Sequence, residues 1–391
     1  MSEAHKYRVE VADSLAGIAP PDWNRMVPGN HPFLRHEFLA GLEEYGCVSE
    51  SIGWTPRHFL LYAGTQLLAA APAYIKTNSF GEFVFDHSWA AAYERTGLNY
   101  YPKLVLAVPF TPVTGKRLLI APDTDPELLA QHLIPAILEY AADSELSGVH
   151  ALFLRPDDRR LLEQAGFLPR MDYQYHWRNH EYRDFEHYLS FFRSHKRKNV
   201  RQERRRVQDQ QICFRRLYGD ELDEAQLDAV YRFYRSTFAK KGNYPALTRT
   251  FFKHLTRSMG RAMVIMLAEQ HGRPMAASVD FMSDAALYGR YWGCDRELDA
   301  VHFEACFYQG IEFCIGRKLQ SFEPGAQGEH KITRGFLPVP TWSAHRLLDT
   351  RFQAAIADYL RREIEAVRQY RRELDQLSPF RDTAIITADT E

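Results

Sequence analysis

What the chain lacks narrows it first. Its five cysteines (Cys47, Cys213, Cys294, Cys306 and Cys314) are odd in number and include no Cys-x-x-Cys pair. A disulfide frame is therefore not expected, and they read as buried thiols in a reducing compartment. No window approaches the roughly 18 uninterrupted apolar residues of a spanning helix. The N-terminal stretch MSEAHKYRVEVADS lacks the charged-then-apolar build of a leader. Charge of one sign is missing too: 49 Lys and Arg face 50 Asp and Glu, for a net charge of −1. That excludes a uniformly basic nucleic-acid coat and leaves room for a local basic patch. A soluble cytoplasmic protein is expected.

What is present is a large, aromatic-rich core. The chain has 391 residues, comfortable for two domains, and 45% are hydrophobic. Strand and helix patterns alternate from the start. The run KYRVEVA, Lys6–Ala12, alternates like a strand, and His31–Tyr45 has helical apolar spacing. The runs Arg57–Tyr62 and Gln66–Ile75, split by Ala-Gly-Thr, read as a hairpin. Gly81–Phe85 alternates like a further strand. Leu128–Ala142 is an amphipathic helix and Phe167–Trp177 a polar-aromatic strand. In the second half, two helices (Leu222–Phe238 and Leu247–Met259) precede a three-strand meander over Ala262–Trp292. A helix at His302–Gly316 and a strand at Leu319–Phe322 follow. GTQLLAAAPAYIK in the first half matches HGRPMAASVDFMS in the second, which points to an internal duplication. Residues 1–180 and 181–378 are the expected domains. A long helix over 350–377 and a disordered tail over 379–391 end the chain.

Two stretches carry chemistry. In FEPGAQGEHKITRGFLP (322–338), Glu323, Gln327, Glu329, His330, Lys331 and Arg334 crowd between Gly325, Gly328 and Gly335. Glycines there let the backbone approach a ligand or take positive φ. In RSHKRKNVRQERRRV, eight Lys or Arg fall between Arg193 and Arg206 against one acid, Glu203. Arg197, Arg201, Arg204 and Arg205 share one helix face. The bland reading is a solvated helix. The sharper one is an anion or nucleic-acid contact by Arg197, Lys198, Asn199, Arg201 and Arg205, because crowded like charges are unfavourable unless offset.

The segments HPFLRHEFLAGLEE, GWTPRHFLL, SFGEFVFDHSWAAAYERTGLNYYPKL, PFTPVTG, LYGRYWG and FEPGAQGEHKITRGFLP resemble a bacterial branch of the FemAB-like superfamily. Its members are similar to two fused GNAT N-acyltransferase domains, and this branch is tied to peptidoglycan biosynthesis or recognition. The resemblance covers about residues 30–370. It implies an α/β (α+β) fold of two tandem GNAT-like domains, each a mixed, largely antiparallel sheet flanked by helices, plus the long C-terminal helix.

The resemblance also implies an N-acyltransferase acting on a primary amine, of a small molecule, a lipid or a cell-envelope precursor. The donor is left open between acyl-CoA or acyl carrier protein and aminoacyl-tRNA, each a co-substrate rather than a tightly bound cofactor. Peripheral membrane contact is a further expectation. Such a transfer needs a base and donors for a tetrahedral oxyanion. Glu329, His330 and Glu304 are the leading base candidates, with Asp86 a fourth. Lys331 beside His330 favours the neutral imidazole. Lys331 and Arg334 suit a phosphate or carboxylate clamp. Trp89, Tyr93, Tyr291 and Trp292 suit an apolar acceptor or acyl slot, while Trp89 and Tyr93, four apart, read equally as helix core. Lys103, Gln327 and His302 complete the substrate set, His302 with the alternative of a packed imidazole. His302, Glu304 and His330 lack the paired-histidine spacing of a zinc site, and no metal is expected. The alternative function is a non-catalytic module that recognises an envelope precursor or RNA.

Overall fold

The computed structural model describes residues 7–240, 242–326 and 328–381. In chain order the strands are β1 (Arg8–Ala12), β2 (Trp54–Pro56), β3 (His58–Ala63), β4 (Gln66–Ala71), β5 (Ala73–Lys76), β6 (Lys103–Leu106), β7 (Leu119–Ile120) and β8 (Gly148–Ala151). There follow β9 (Leu168–Arg178), β10 (Ile212–Tyr218), β11 (Met263–Gln270), β12 (Arg273–Met282), β13 (Ala286–Cys294), β14 (Ser321–Glu323) and β15 (Leu337–Leu347). The chain divides into two units. One comprises Met1–Asp172 and Thr341–Val367, the other Tyr173–Pro340 and Arg368–Glu391. The stretch from Thr341 through most of the long helix Thr350–Asp375 thus returns to the first unit rather than staying with residues 181–378.

In the first unit, β3 and β4 form the expected hairpin around Gly64, whose φ of 60° suits a residue without Cβ. The second run is then cut by Pro72, which has no N–H to donate to a ladder. Before it, β4 pairs with β3 and β7; after it, β5 pairs with β2 and β6. One apolar run therefore serves two sheets, ordered β1-β3-β4-β7 and β15-β8-β6-β5-β2. The second half keeps its matching run as one strand, β12. All four residues of β6 are buried between β5 and β8. The helix Pro126–Asp143 starts on Asp125, whose carboxylate caps the Glu127 and Leu128 amides, with Pro126 in the first turn where its missing N–H costs nothing. Gly81–Phe85, expected as a strand, is irregular. Its alternation has another cause: Glu82 is drawn inward by Lys103 while the phenylalanines stay out.

In the second unit, the sheet runs β10-β11-β12-β13-β14 and ends on the Tyr173–Arg178 portion of β9. The first six residues of β11, the strand next to edge strand β10, are buried. The β11–β12 turn uses His271 and Gly272, both at positive φ. The helical crossover from β13 to the parallel β14 spans Val301–Arg317 and includes a π-helical turn, Glu304–Tyr308. Phe307, Tyr308, Ile311, Phe322 and Phe336 join the core beneath it. Pro379 and Phe380, expected in the disordered tail, are packed: Phe380 is 3% exposed, meets the Phe192 ring edge to face at 5.1 Å and forms a bridge with it. Beyond Arg381 that tail lies outside the described residues. Cys213 departs from the expected burial, lying exposed on edge strand β10; all five cysteines are free. No helix among the described residues is long and apolar enough to cross a membrane.

The helix Glu224–Lys240 presses so closely on β13 that a Cβ at Gly293 would stand 1.8 Å from the Phe233 carbonyl oxygen. Gly293→Ala is expected to cost about 1–3 kcal/mol or more, read as a lowered denaturation midpoint. An unchanged midpoint would contradict the packing.

Candidate active site

The chemistry of the second unit gathers where two parallel strands part. β13 and β14 pair through Ala286–Ser321, Leu287–Phe322 and Tyr288–Glu323, and there the ladder stops. Pro324 and Gly325 (φ 96°) turn the chain away, while β13 runs on to Cys294. A bulge beside β12 shifts the register between Val279–Tyr291 and Asp280–Gly289. A Cβ at Gly289 would come within 3.1 Å of the Pro324 Cα and 3.2 Å of Asp280 Oδ1. Glycine thus keeps the mouth of the gap tight and puts a carboxylate at its floor.

Four ionisable groups line this place. Asp280 is 1% exposed and accepts a 2.8 Å hydrogen bond from Ser278; burial pushes its carboxyl up to about 8. Ser278 also reaches the Ala305 carbonyl in the π-helical turn, at 3.3 Å. Such turns recur at functional sites. Glu323 ends β14 with its Oε2 buried and without a hydrogen-bond partner. Burial raises its carboxyl to about 7, against the pull of Arg178 and Arg290. Across the strand pair, His176 Nε2 lies 3.9 Å from Glu323 Oε2. Burial, then Arg178 and Lys331, push that imidazole down to about 3, so it is neutral. Lys331 is 4% exposed, donates to the Gly325 carbonyl at 2.7 Å, and is lowered to about 8 by burial. Glu323 and Lys331 therefore both change charge near neutral pH.

The residues expected from sequence fall into separate groups. Lys331 is at the gap. His330 is next to it but mostly exposed, its ring 5.8–6.3 Å from those of Phe307, Phe303 and His302. Burial, then Arg334 and Lys331, lower its pKa. Glu329 faces solvent and accepts from Tyr370 at 2.7 Å. Arg334 is engaged inward: it meets Glu203 at 2.6 Å and the His330 carbonyl at 2.7 Å, with its guanidinium 3.6 Å above the Phe303 ring. Tyr291 and Trp292 continue β13 past the parting, Tyr291 against Tyr234 and Trp292 against His302. Gln327 lies outside the described residues.

Glu304 takes a two-point contact from Arg204 at 3.0 and 3.1 Å and a third from Gln309 at 2.7 Å. It lines a cavity of about 420 Å³ with Arg204, Phe214, Arg216 and Glu312. The basic helix is Ser194–Asp209, anchored by buried Val200 and Val207. Acids from distant segments offset part of its charge: Glu186 holds Arg201, Glu304 and Glu312 hold Arg204, and Asp299 holds Arg206. Arg197, Lys198 and Arg205 make no ion pair among the described residues, and Asn199 beside them is exposed. Asp86, Trp89, Tyr93 and Lys103 belong to the first unit, with Lys103 bonded to Glu82 and Asp86, and Tyr93 stacked on Phe352.

Comparison with known proteins bears on this geometry. A family model described as FemAB-like, peptidoglycan biosynthesis/recognition, matches residues 14–382. The chain belongs to the FemAB-like family. Among solved structures, FemX is similar at 10% identity over 89% of this chain and 100% of that one, with a TM-score of 0.54. The L-PGS of Bacillus licheniformis follows at 11% identity, 82% and 95% coverage, and 0.48. A tandem GNAT protein from the clavulanic acid pathway reaches 8%, 87% and 98%, and 0.43. No curated protein matches. At such identity the likeness to FemX shows the fold alone, a mixed α/β chain whose largely antiparallel sheets are flanked by helices.

Within this FemAB-like chain, the sequence pattern did not single out His176, Ser278 or Asp280, and it marked Glu323 only as a member of the 322–338 stretch, without a role. One signal was available: Ser278 and Asp280 alternate inside an otherwise apolar strand, where an acid has no cheap place.

Asp280 gives a stability test. Its folded pKa lies above the unfolded value, so its favourable share exists at low pH and is lost as pH rises through about 8. Asp280→Asn is expected to raise the melting temperature at pH 8 by about 3 °C or more, with the gain shrinking toward pH 4. A lower melting temperature at pH 8 would contradict the assignment.

Proposed function

We propose that this chain is an N-acyltransferase, moving an acyl or aminoacyl group from an activated carrier to a primary amine at the β13–β14 parting. Family membership supports a transferase acting on envelope precursors. The observation that carries the reading is what the strand parting gathers: the buried, unpartnered Glu323 Oε2 at the end of β14, raised to about 7, and Lys331, lowered to about 8, whose ammonium donates to the carbonyl of Gly325 two residues on. A silent recognition module has no use for such a pair.

In this reading the unpartnered Oε2 of Glu323 takes a proton from the acceptor ammonium, freeing the nitrogen lone pair. Neutral His176 beside it adds no charge that would hold the carboxylate ionised. Nitrogen attacks the acyl carbon and the C–N bond forms. Lys331, steadied by the Gly325 carbonyl, stabilises the oxyanion. The tetrahedral adduct collapses, the carrier's C–S or C–O bond breaks, the proton on Glu323 passes to the leaving thiolate or alkoxide, and the second proton of the attacking nitrogen is released to solvent, leaving a neutral amide. Arg197, Lys198 and Arg205, uncommitted within the described residues, are positioned for the phosphates that both CoA and tRNA carry. His330 and Glu329 stand at the rim, where the acceptor enters.

The pH dependence follows with a definite sign. Glu323 must be ionised, so kcat/KM rises through about pH 7; Lys331 must be protonated, so it falls through about pH 8. A mass-spectrometric screen of the protein with acyl-CoAs, charged tRNAs and amine acceptors supplies the assay. Glu323→Gln is expected to lower kcat by about 10²–10⁴ and to remove the acidic limb. Undiminished turnover in that variant would overturn the assignment. Replacing Arg197, Lys198 and Arg205 together by Glu is expected to raise KM for the carrier and leave kcat near its original value. An unchanged KM would remove the helix from carrier binding.

A further inference from the structure

Around Lys103 the first unit buries more polar chemistry than its packing satisfies. Lys103, fully buried, donates to Glu82 Oε2 at 2.8 Å and to Asp86 Oδ2, which also accepts from Tyr100. Each carboxylate thus spends one oxygen. Their other oxygens, Glu82 Oε1 and Asp86 Oδ1, are buried and have no partner. Three more orphans belong to the same neighbourhood: Trp89 Nε1, Tyr93 Oη and His150 Nε2. The rings tie them together. Tyr100 lies 5.3 Å from Tyr93 and 5.9 Å from His150, and Trp89 lies 4.9 Å from His345. His150 and His345 face each other across the β8–β15 ladder, Nδ1 to Nδ1 at 2.8 Å. Folded interiors leave few buried polar atoms unsatisfied, and each such atom asks for a guest.

The segment that delivers the acids is also unusual. Phe80–Asp86 has no strand and no helix; its last residue stands just before the helix His87–Arg95 and gives that helix no side-chain cap. Glu82 and Asp86 point inward, while Phe80, Phe83 and Phe85 are 43%, 41% and 55% exposed. Donors from outside hold it down: Trp54 Nε1 and Lys76 Nζ on the Phe80 carbonyl at 2.8 and 3.1 Å, the Phe110 amide on the Gly81 carbonyl at 3.2 Å, and Arg170 on the Phe85 carbonyl at 2.8 Å. A cavity of about 130 Å³ lies against it, lined by Phe83, Phe85, Arg170, Trp342 and Ser343 among others. Ser343 is bonded to His345 at 2.8 Å, which links the cavity wall to the histidine pair.

We propose that the first unit holds a second binding site, for a ligand carrying a primary ammonium group and an apolar portion. The ammonium sits between the free oxygens of Glu82 and Asp86 beneath the 80–86 strap, and the apolar portion lies in the cavity walled by Phe83, Phe85 and Trp342. An ammonium fits because both free atoms on the carboxylates are acceptors and it brings three donors. Charge balance also allows it. Lys76 and Lys103 already match the two acids, but burial lowers Lys76 to about 7, so it can release a proton as the ligand's charge enters. This site is independent of the acyl-transfer reading.

Isothermal titration of the full chain with hexylamine, against hexanol as the uncharged control, tests the proposal. Hexylamine is expected to bind saturably at one site, at least tenfold tighter than hexanol. Asp86→Asn, which keeps an oxygen for Lys103 and Tyr100, is expected to weaken hexylamine at least tenfold. Should that variant fail to fold, Phe85→Ala on the exposed strap is expected to weaken hexylamine more than methylamine. Glu323→Gln, in the other unit, is expected to leave this binding unchanged, which keeps the two sites distinguishable. Absence of saturable binding, equal affinity for hexanol, indifference of hexylamine to Asp86→Asn or Phe85→Ala, or its loss in Glu323→Gln would each overturn the site. The orphan atoms would then be met by water alone.

Discussion

The parting of β13 and β14 after Tyr288 and Glu323 is the constraint on which the second unit depends. Three paired residues hold the strands in parallel, and the next residues cannot continue the ladder. Pro324 lacks the donor, Gly325 takes a φ of 96°, and Gly289 leaves room only for Asp280 and the Pro324 backbone. The crossover helix is fitted to this geometry, because Gly310 lies against the Phe322 ring closely enough that a Cβ would be 2.3 Å from it. Strand, helix and turn therefore meet at one mouth. An acid at the end of β14 and a lysine from the following turn are brought to it without any long loop.

Holding that lysine in place takes a second layer. The turn Glu329–Arg334 has no ladder of its own. Arg334 fixes it through Glu203, Tyr308 and the His330 carbonyl, and Tyr188 binds the Arg334 carbonyl at 2.6 Å. Gly335 (φ 86°) fits under the Tyr188 hydroxyl, where any Cβ would collide. Arg334 is in this sense a positioning residue, although its charge and glycine neighbours suit a phosphate clamp in the sequence. Unpaired, its buried guanidinium would be costly; with carboxylate, hydroxyl and carbonyl partners it becomes a rivet. The first unit shows the same economy around Lys103, with one difference: its acids retain unspent oxygens.

Much of the fold was legible because local rules and packing agree there. Gly64, His271 and Gly272 mark turns, and the helix Pro126–Asp143 carries its cap and its apolar stripe in plain view. The site was less legible, because its members meet through register. His176 and Glu323 are 147 positions apart and become neighbours only when β9 pairs with β14. The basic helix looks more uniformly charged in sequence than in the fold for the same reason: the counter-charges of Arg201, Arg204 and Arg206, which are Glu186, Asp299, Glu304 and Glu312, lie on other segments. Gly81–Phe85 alternates without being a strand, since a buried lysine can sort residues inward as well as a sheet can. Phe380 packs although its surroundings in sequence look like a polar tail.

The central claim is that acyl transfer takes place at the β13–β14 gap. A crystal structure of the protein with an amide-linked bisubstrate analogue, an aminoacyl or acyl carrier mimic joined to an amine, tests it most directly. The account predicts the amide nitrogen within hydrogen-bonding distance of Glu323 and the acyl oxygen beside Lys331. An analogue lodged instead in the cavity lined by Arg204 and Glu312, with the gap closed, would contradict it.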